Sequence, residues 1–280
     1  DDGSYEFDAS SYDSLGKDEK LVLEIPVTVT DEHNATAQTT LTITVTGTND
    51  APVAIADSQT TDEDTALKDS VPEASDIDGR VKSYELESDL SDGKGELVFK
   101  PNGNYTFKPG EDFQALEPGQ SQEVSFTYVA VDNNGAKSEP QTITITVTGT
   151  NDAPVAEAKT DSVIEDTVIT GAMSATDVDL ADNAELTFST DSTVEGLTFN
   201  DDGSYEFDAS SYDSLGKGEK LVLEIPVTVT DEHDAAAQTT MTITVTGTND
   251  APVAKADTQT TNEDTVLKES VPEATDVDGR

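Results

Sequence analysis

The chain has 280 residues, no cysteine, and 59 acidic residues against 15 basic ones, for a formal net charge of −44. That sign disfavours nucleic acid and anionic membrane surfaces as partners and makes cations the natural counterpart. The lack of cysteine removes disulfides, thiol catalysis and cysteine-based zinc sites, so rigidity in a chain of this composition needs another crosslink.

Internal repetition organises the rest. Residues 1–80 return as 201–280 with about eleven substitutions, among them Asp18/Gly218, Asn34/Asp234, Leu41/Met241 and Ile55/Lys255. Inside that long repeat the string GTNDAPV occurs at Gly47–Val53, Gly149–Val155 and Gly247–Val253, a spacing of about 100 residues that suits a β-sandwich domain. The expected organisation is the C-terminal part of a sandwich repeat over 1–48, complete repeats over 49–150 and 151–248, and the N-terminal part of another over 249–280.

In chain order, Asp2 and Gly3 open the copy of a hairpin, and a strand pattern with Pro26 inside it follows. Proline donates nothing to a ladder, so this strand and its copy around Pro226 are expected to be exposed at an edge or bulged there. In LVFKPNGNYTF, Asn102 and Gly103 sit between two alternating runs and predict a tight turn with positive φ at both residues. Ile143, Ile145 and Val147 alternate with threonines, which predicts one buried and one wet face. Leu197–Phe207 is the next hairpin, turning at Asp202 and Gly203, and Leu221, Leu223, Ile225, Val227 and Val229 alternate in the strand after it. No segment carries the 3.6-residue apolar period of a helix, so the fold class is all-β. Aromatic residues such as Phe99, Tyr105, Phe107, Phe126 and Tyr128 read as core between two small sheets. No apolar run approaches the length of a membrane span.

Acidic residues gather at recurring places: Asn49 and Asp50, then Asp76 and Asp78, then Asp132 at a strand end. The set returns as Asn151, Asp152, Asp177, Asp179 and Asp231, and begins again with Asn249, Asp250, Asp276 and Asp278. Like charges 4 Å apart repel by roughly 1 kcal/mol in water, and by more where burial lowers the dielectric. A hard cation reverses that repulsion. Calcium accepts six to eight carboxylate, amide and backbone oxygens in irregular geometry, whereas magnesium demands near-octahedral order. A lone D-x-D-G is just a polar turn; three copies in register with a linker Asn-Asp predict calcium.

GTNDAPV, the EDT of Glu63–Thr65 and the D-x-D of EASDIDG resemble the VCBS and cadherin-like repeats of large bacterial surface adhesins. The resemblance covers the whole chain. It implies tandem Ig-like or cadherin-like β-sandwiches of about seven strands joined end to end, calcium ions at the junctions, and an extracellular, cell-surface protein of the RTX type exported by type I secretion. On the family pattern Asp31, Asp132 and Asp231 match the strand-end aspartate, and Glu63, Glu165 and Glu263 the early glutamate. Glu63 would then serve with Asn151, Asp152, Asp177, Asp179 and Asp231. The family's D-x-E element has no clean counterpart; Asp13 and Asp213 are the candidates, and Gln114 takes their place in the middle domain.

The function this suggests is a calcium-stiffened extender that projects a distal binding domain for attachment or biofilm formation. Its partners are calcium ions and neighbouring repeats of the same chain, with no nucleic acid and no membrane insertion. The competing reading is that the repeats themselves adhere, to one another or to surface glycans, which asks for an exposed aromatic or apolar patch. Catalysis has little to stand on, because His33 and His233 are copies of one turn position with no second histidine beside them. The chain is not expected to be an enzyme.

Overall fold

The computed structural model describes residues 3–91, 94–179 and 185–279; Asp2, part of the first turn expected from the sequence, lies outside them. The chain divides into two compact units, Asp1–Thr150 and Asn151–Arg280.

The first unit opens with an antiparallel pair, β1 (Lys20–Thr30) and β2 (Thr36–Thr46). Seven strands follow: β3 (Asp57–Asp62), β4 (Leu67–Ser70), β5 (Val81–Ser88), β6 (Glu96–Phe99), β7 (Asn104–Lys108), β8 (Ser121–Asp132) and β9 (Gln141–Thr148). They form a four-stranded sheet in the order β3-β9-β8-β5 and a three-stranded sheet β4-β7-β6. β3 runs parallel to β9, while the other pairings are antiparallel.

The second unit repeats this plan. Its strands are β10 (Val155–Ala156), β11 (Lys159–Ile164), β12 (Val168–Ala172), β13 (Ala175–Thr176), β14 (Thr187–Ser189), β15 (Leu197–Phe199), β16 (Ser204–Asp208), β17 (Lys220–Thr230) and β18 (Ala236–Thr246). The sheets are β11-β18-β17-β14 and β12-β16-β15, with a short β10-β13 pair, and β11 is parallel to β18. Each complete domain is therefore a seven-stranded, four-on-three sandwich. Among the described residues helix is confined to three 3₁₀ turns, Ser10–Tyr12, Gly110–Asp112 and Ala209–Tyr212, and none is long and apolar enough to cross a membrane.

The alternation in sequence becomes the core. Ile143, Ile145 and Val147 of β9 are buried against Phe107, Phe113, Phe126 and Tyr128, while the threonines between them face outward. In the second unit Phe207, Ile225, Val227, Met241 and Ile243 do the same. Burial of such side chains contributes about 1.5–3 kcal/mol each, which is what holds two small sheets together without a crosslink. The glycine of each GTND string is fixed by close approach. A Cβ on Gly47, Gly149 or Gly247 would lie 2.2–2.3 Å from a backbone oxygen in the first two and 2.4 Å in the third, against Leu15, Leu116 or Leu215.

Two local expectations change in the structure. Gly103 and Gly203 have φ of 85° and 80°, but Asn102 and Asp202 do not join them in the left-handed region. The loop has three residues, closed by Gly103 N–H to Lys100 O at 2.9 Å and Lys100 N–H to Asn104 O at 2.9 Å, so one glycine supplies the single positive φ. Pro226 lies in β17, which is an inner strand of its sheet; β14 ends at Ser189 opposite Thr228, so the proline falls where the short neighbour has stopped. Pro26, in β1, stands opposite Thr40 of β2.

Candidate functional site at the domain ends

The N-terminal end of each domain is built by two chain crossings. The linker Asn-Asp enters beside the D-x-D loop, and the long strand β8 or β17 delivers its aspartate to the same place. In the first unit the Asn49 amide donates to Asp132 Oδ2 at 2.6 Å and to the Asp50 carbonyl at 2.9 Å. Asp50 N–H donates to Asp78 Oδ2 at 3.3 Å, and Asp78 N–H to Asp76 Oδ1 at 3.3 Å. Asp132 Oδ1 accepts from the backbone N–H of Asn134 and Ala136, both at 2.8 Å, and Asn134's amide in turn bonds Asn49.

The second unit copies these bonds. Asn151 donates to Asp231 Oδ2 at 2.8 Å, Asp152 N–H to Asp179 Oδ2 at 3.1 Å, and Asp179 N–H to Asp177 Oδ1 at 3.3 Å. At the third copy Asp250 N–H donates to Asp278 Oδ2 at 3.1 Å, and Asp278 N–H to Asp276 Oδ1 at 3.0 Å, while Asn249 donates to the Asp250 carbonyl at 2.8 Å.

The C-terminal end of each domain is set by the early glutamate. Glu63 and Glu165 are each 1% exposed, and each carboxylate accepts the backbone N–H of the threonine in GTND, Thr150 at 2.6 Å and Thr248. The next residue of the same E-D-T string joins them, Asp64 toward Gln114 and Asp166 toward Asp213. In the second unit Asp250, from the following linker, faces Glu165, Asp213 and Asp278. Glu165 and Asp213 therefore share one neighbourhood with Asp250 and Asp278. Glu63 lies in the first unit with Asp64 and Gln114, and Asn151, Asp152, Asp177, Asp179 and Asp231 lie in the second. Glu263 is exposed.

Several buried carboxylate oxygens have no hydrogen-bond partner: Asp76 Oδ2, Asp78 Oδ1, Asp177 Oδ2, Glu165 Oε2, Asp213 Oδ1, Asp250 Oδ2 and Asp278 Oδ1. An unsatisfied buried acceptor costs about 1–3 kcal/mol, and more when it is charged. The charges also act on one another. Asp177 is pushed up to about 6, first by burial and then by Asp179, and Asp76 is raised by burial and by Asp78. Asp166 is raised by Asp213, and Asp250 by burial and by Asp278, Glu165 and Asp213. Asp132 moves the other way, held down chiefly by the Asn49 amide. Burial pulls Asp231 up, but the bonds from Asn151, Ala235 and His233 outweigh it and leave it below the usual range.

These oxygens fit a hard, oxygen-seeking cation and little else: acidic, amide and backbone groups, several of them unpartnered, with no histidine or cysteine among the donors. Among the described residues no three carboxylates, histidines or cysteines converge closely enough to chelate an ion as they stand. Repulsion between the carboxylates is sufficient reason for them to stand apart.

The sequence reading missed Asp64 and Asp166, although both stand in the E-D-T string from which only the glutamates were taken. It also missed Asn134, whose role depends on a contact with Asn49, 85 positions away.

A prediction follows for the metal-free chain. Because the folded-state pKa of Asp177 is raised from 3.8 to about 6, its contribution to stability is fully present below about pH 4 and is lost as pH rises through about 6. Asp177→Asn removes that loss. Denaturant melts of the metal-free protein at pH 5 and pH 7.5 are expected to show a smaller pH difference for the variant than for the wild type, and an equal difference contradicts the assignment.

The fold and these recurring junctions define a tandem array of β-sandwich modules with acid-rich ends. The bacterial cadherin-like domain model matches residues 49–149 and 151–247. The chain belongs to that family. Among solved structures it is similar to the Protocadherin Gamma B7 extracellular cadherin domains 1–4, at 17% identity and a TM-score of 0.49, covering 93% of this chain and 67% of that one. It is also similar to Mouse Cadherin-23 EC22-24, at 18% identity and a TM-score of 0.45, covering 81% and 74%. No curated protein matches the sequence.

Proposed function

We propose that the chain is a run of calcium-stiffened extender repeats from a bacterial surface adhesin of the VCBS and RTX type, secreted to the cell surface, where it carries a distal binding domain outward. The domains are those bounded by 1–48, 49–150, 151–248 and 249–280, and the work is mechanical rather than enzymatic. The observation that carries this reading is the recurrence, in register, of buried carboxylate oxygens without partners at successive domain ends.

Calcium would be held by Asp76, Asp78, Asn49, Asp50 and Asp132 at one end and by Asn151, Asp152, Asp177, Asp179 and Asp231 at its counterpart. Glu165, Asp250 and Asp278, with Asn249 and Asp276, would hold it at the next. When bound it supplies the positive charge that these groups lack. The chain's own residues do the rest: Asn49 and Asn151 fix the strand-end aspartates, and the backbone N–H groups of the linker orient the D-x-D carboxylates. With the repulsion cancelled, each linker is tied to the loop beside it.

The near identity of units 200 residues apart suits a length device, which gains from every copy, better than a single recognition site. The large apolar side chains exposed on the two complete domains are aliphatic, such as Val53, Ile77, Val155 and Val178, and the adhesive reading asks for aromatic ones or a patch. Small-angle scattering in millimolar calcium and in chelator tests the proposal. Calcium is expected to increase the maximum dimension and to narrow the spread of conformations; an unchanged profile leaves a bare spacer without calcium stiffening.

A further inference from the structure

The two complete domains end differently. In the second unit the C-terminal end carries three acids, Glu165, Asp166 and Asp213. Asp213 closes the 3₁₀ turn Ala209–Tyr212, and its Oδ1 is buried without a partner. Glu165 is 1% exposed, accepts Thr248 N–H through Oε1, and leaves Oε2 without a partner. Asp166 is held at φ 64°, in the left-handed region, beside Asp213.

In the first unit the equivalent turn is Gly110–Asp112, and the residue at the place of Asp213 is Gln114. The equivalence is fixed by packing rather than by counting. The Phe113 ring packs against Phe107 as the Tyr212 ring does against Phe207, and Leu116 meets Gly149 as Leu215 meets Gly247. Gln114 donates its amide to Asp64 Oδ1 at 3.2 Å, and Thr150 Oγ1 lies 3.1 Å from Asp64 Oδ2. Both oxygens of Asp64 are thus engaged by protein hydrogen-bond partners. Asp64 also stays out of the left-handed region that Asp166 occupies.

We propose that divalent-cation affinity alternates from domain to domain: ends built like Glu165–Asp166–Asp213 bind tightly, and the end built on Glu63–Asp64–Gln114, where Gln114 and Thr150 already engage Asp64, binds weakly. The inference rests on the calcium reading above and adds to it a residue that sets the affinity. An amide in place of a carboxylate removes one negative charge and supplies a donor that competes for the neighbouring oxygen. Asp13 in 1–48 occupies the same place as Asp213, so the alternation has a period of two domains, about 200 residues. A stalk built this way carries firm and compliant ends in turn rather than uniform stiffness.

Calorimetric titration of the metal-free 280-residue chain with calcium chloride tests this, alongside the variants Gln114→Asp and Asp213→Gln. The wild type is expected to show a tight and a weaker class of sites. Asp213→Gln weakens the tight class by about tenfold or more, and Gln114→Asp moves part of the weaker class into the tight one, since ligand charge count tunes calcium affinity over such ranges. Melting curves in chelator establish that each variant is folded, and the loss and gain variants test the inference separately. Calcium binding by the wild type that neither substitution alters overturns the alternation and leaves the calcium reading standing. A wild-type chain that takes up no calcium overturns both.

Discussion

Addition of calcium to the metal-free chain is expected to raise its melting temperature by at least 10 °C or so. A ligand at a hundred times its dissociation constant stabilises the folded state by about 2.7 kcal/mol per site, and about 1 kcal/mol shifts the midpoint of a 60–100-residue domain by roughly 4–8 °C. The source of the gain is specific. Without a cation, Glu165, Asp213, Asp250 and Asp278 each keep a buried oxygen without a partner. The same logic gives the sign for Glu165→Gln. In chelator the variant loses no partner for Oε2 and sheds a buried charge, so its midpoint equals or exceeds that of the wild type; in calcium it falls behind. Differential scanning calorimetry in both conditions reads the crossover, and a variant destabilised equally in both shows that Glu165 is only a backbone cap for Thr248.

The second large effect lies in the core of the second unit. Ile225→Ala is expected to cost about 2–5 kcal/mol, because it opens a cavity among Val227, Met241, Ile243 and Phe207, whereas Val222→Ala in the same strand costs a small fraction of that. Val222 is 54% exposed and Ile225 is 0% exposed. Chemical denaturation of the two variants reads the difference, and equal losses would contradict the packing of β17.

That pair also shows what a sequence can and cannot state. The period-two alternation of Ile143, Ile145 and Val147 marked strand and inner face at once, because side chains of a strand point alternately to its two sides. The absence of a long helix among the described residues was legible for the same reason, whereas the seven-strand plan came only from the resemblance to cadherin-like repeats. Which strands cover Ile225 was not legible, since that depends on β11, β12 and β14–β16 and not on the local pattern. Nor was the parallel pairing of β3 with β9, which joins segments more than eighty residues apart. The turn at Gly103 was placed correctly and its conformation was not, because three residues rather than two close the loop.

At the domain ends, recurrence pointed to the D-x-D and linker aspartates before any contact was known. The sequence could not pair Gln114 with Asp64, nor Asp213 with Asp166. Those contacts depend on where the loop after β7 or β16 comes back to the E-D-T turn. Charge pattern therefore pointed to the residues, and only the fold showed that Gln114 and Thr150 engage Asp64.

The most direct measurement is a crystal structure of the chain grown in millimolar calcium. Density is expected among Glu165, Asp213, Asp250 and Asp278 with carboxylate oxygens about 2.3–2.6 Å from it, as calcium requires. Those side chains still apart, with nothing between them at saturating calcium, would contradict the account at its root.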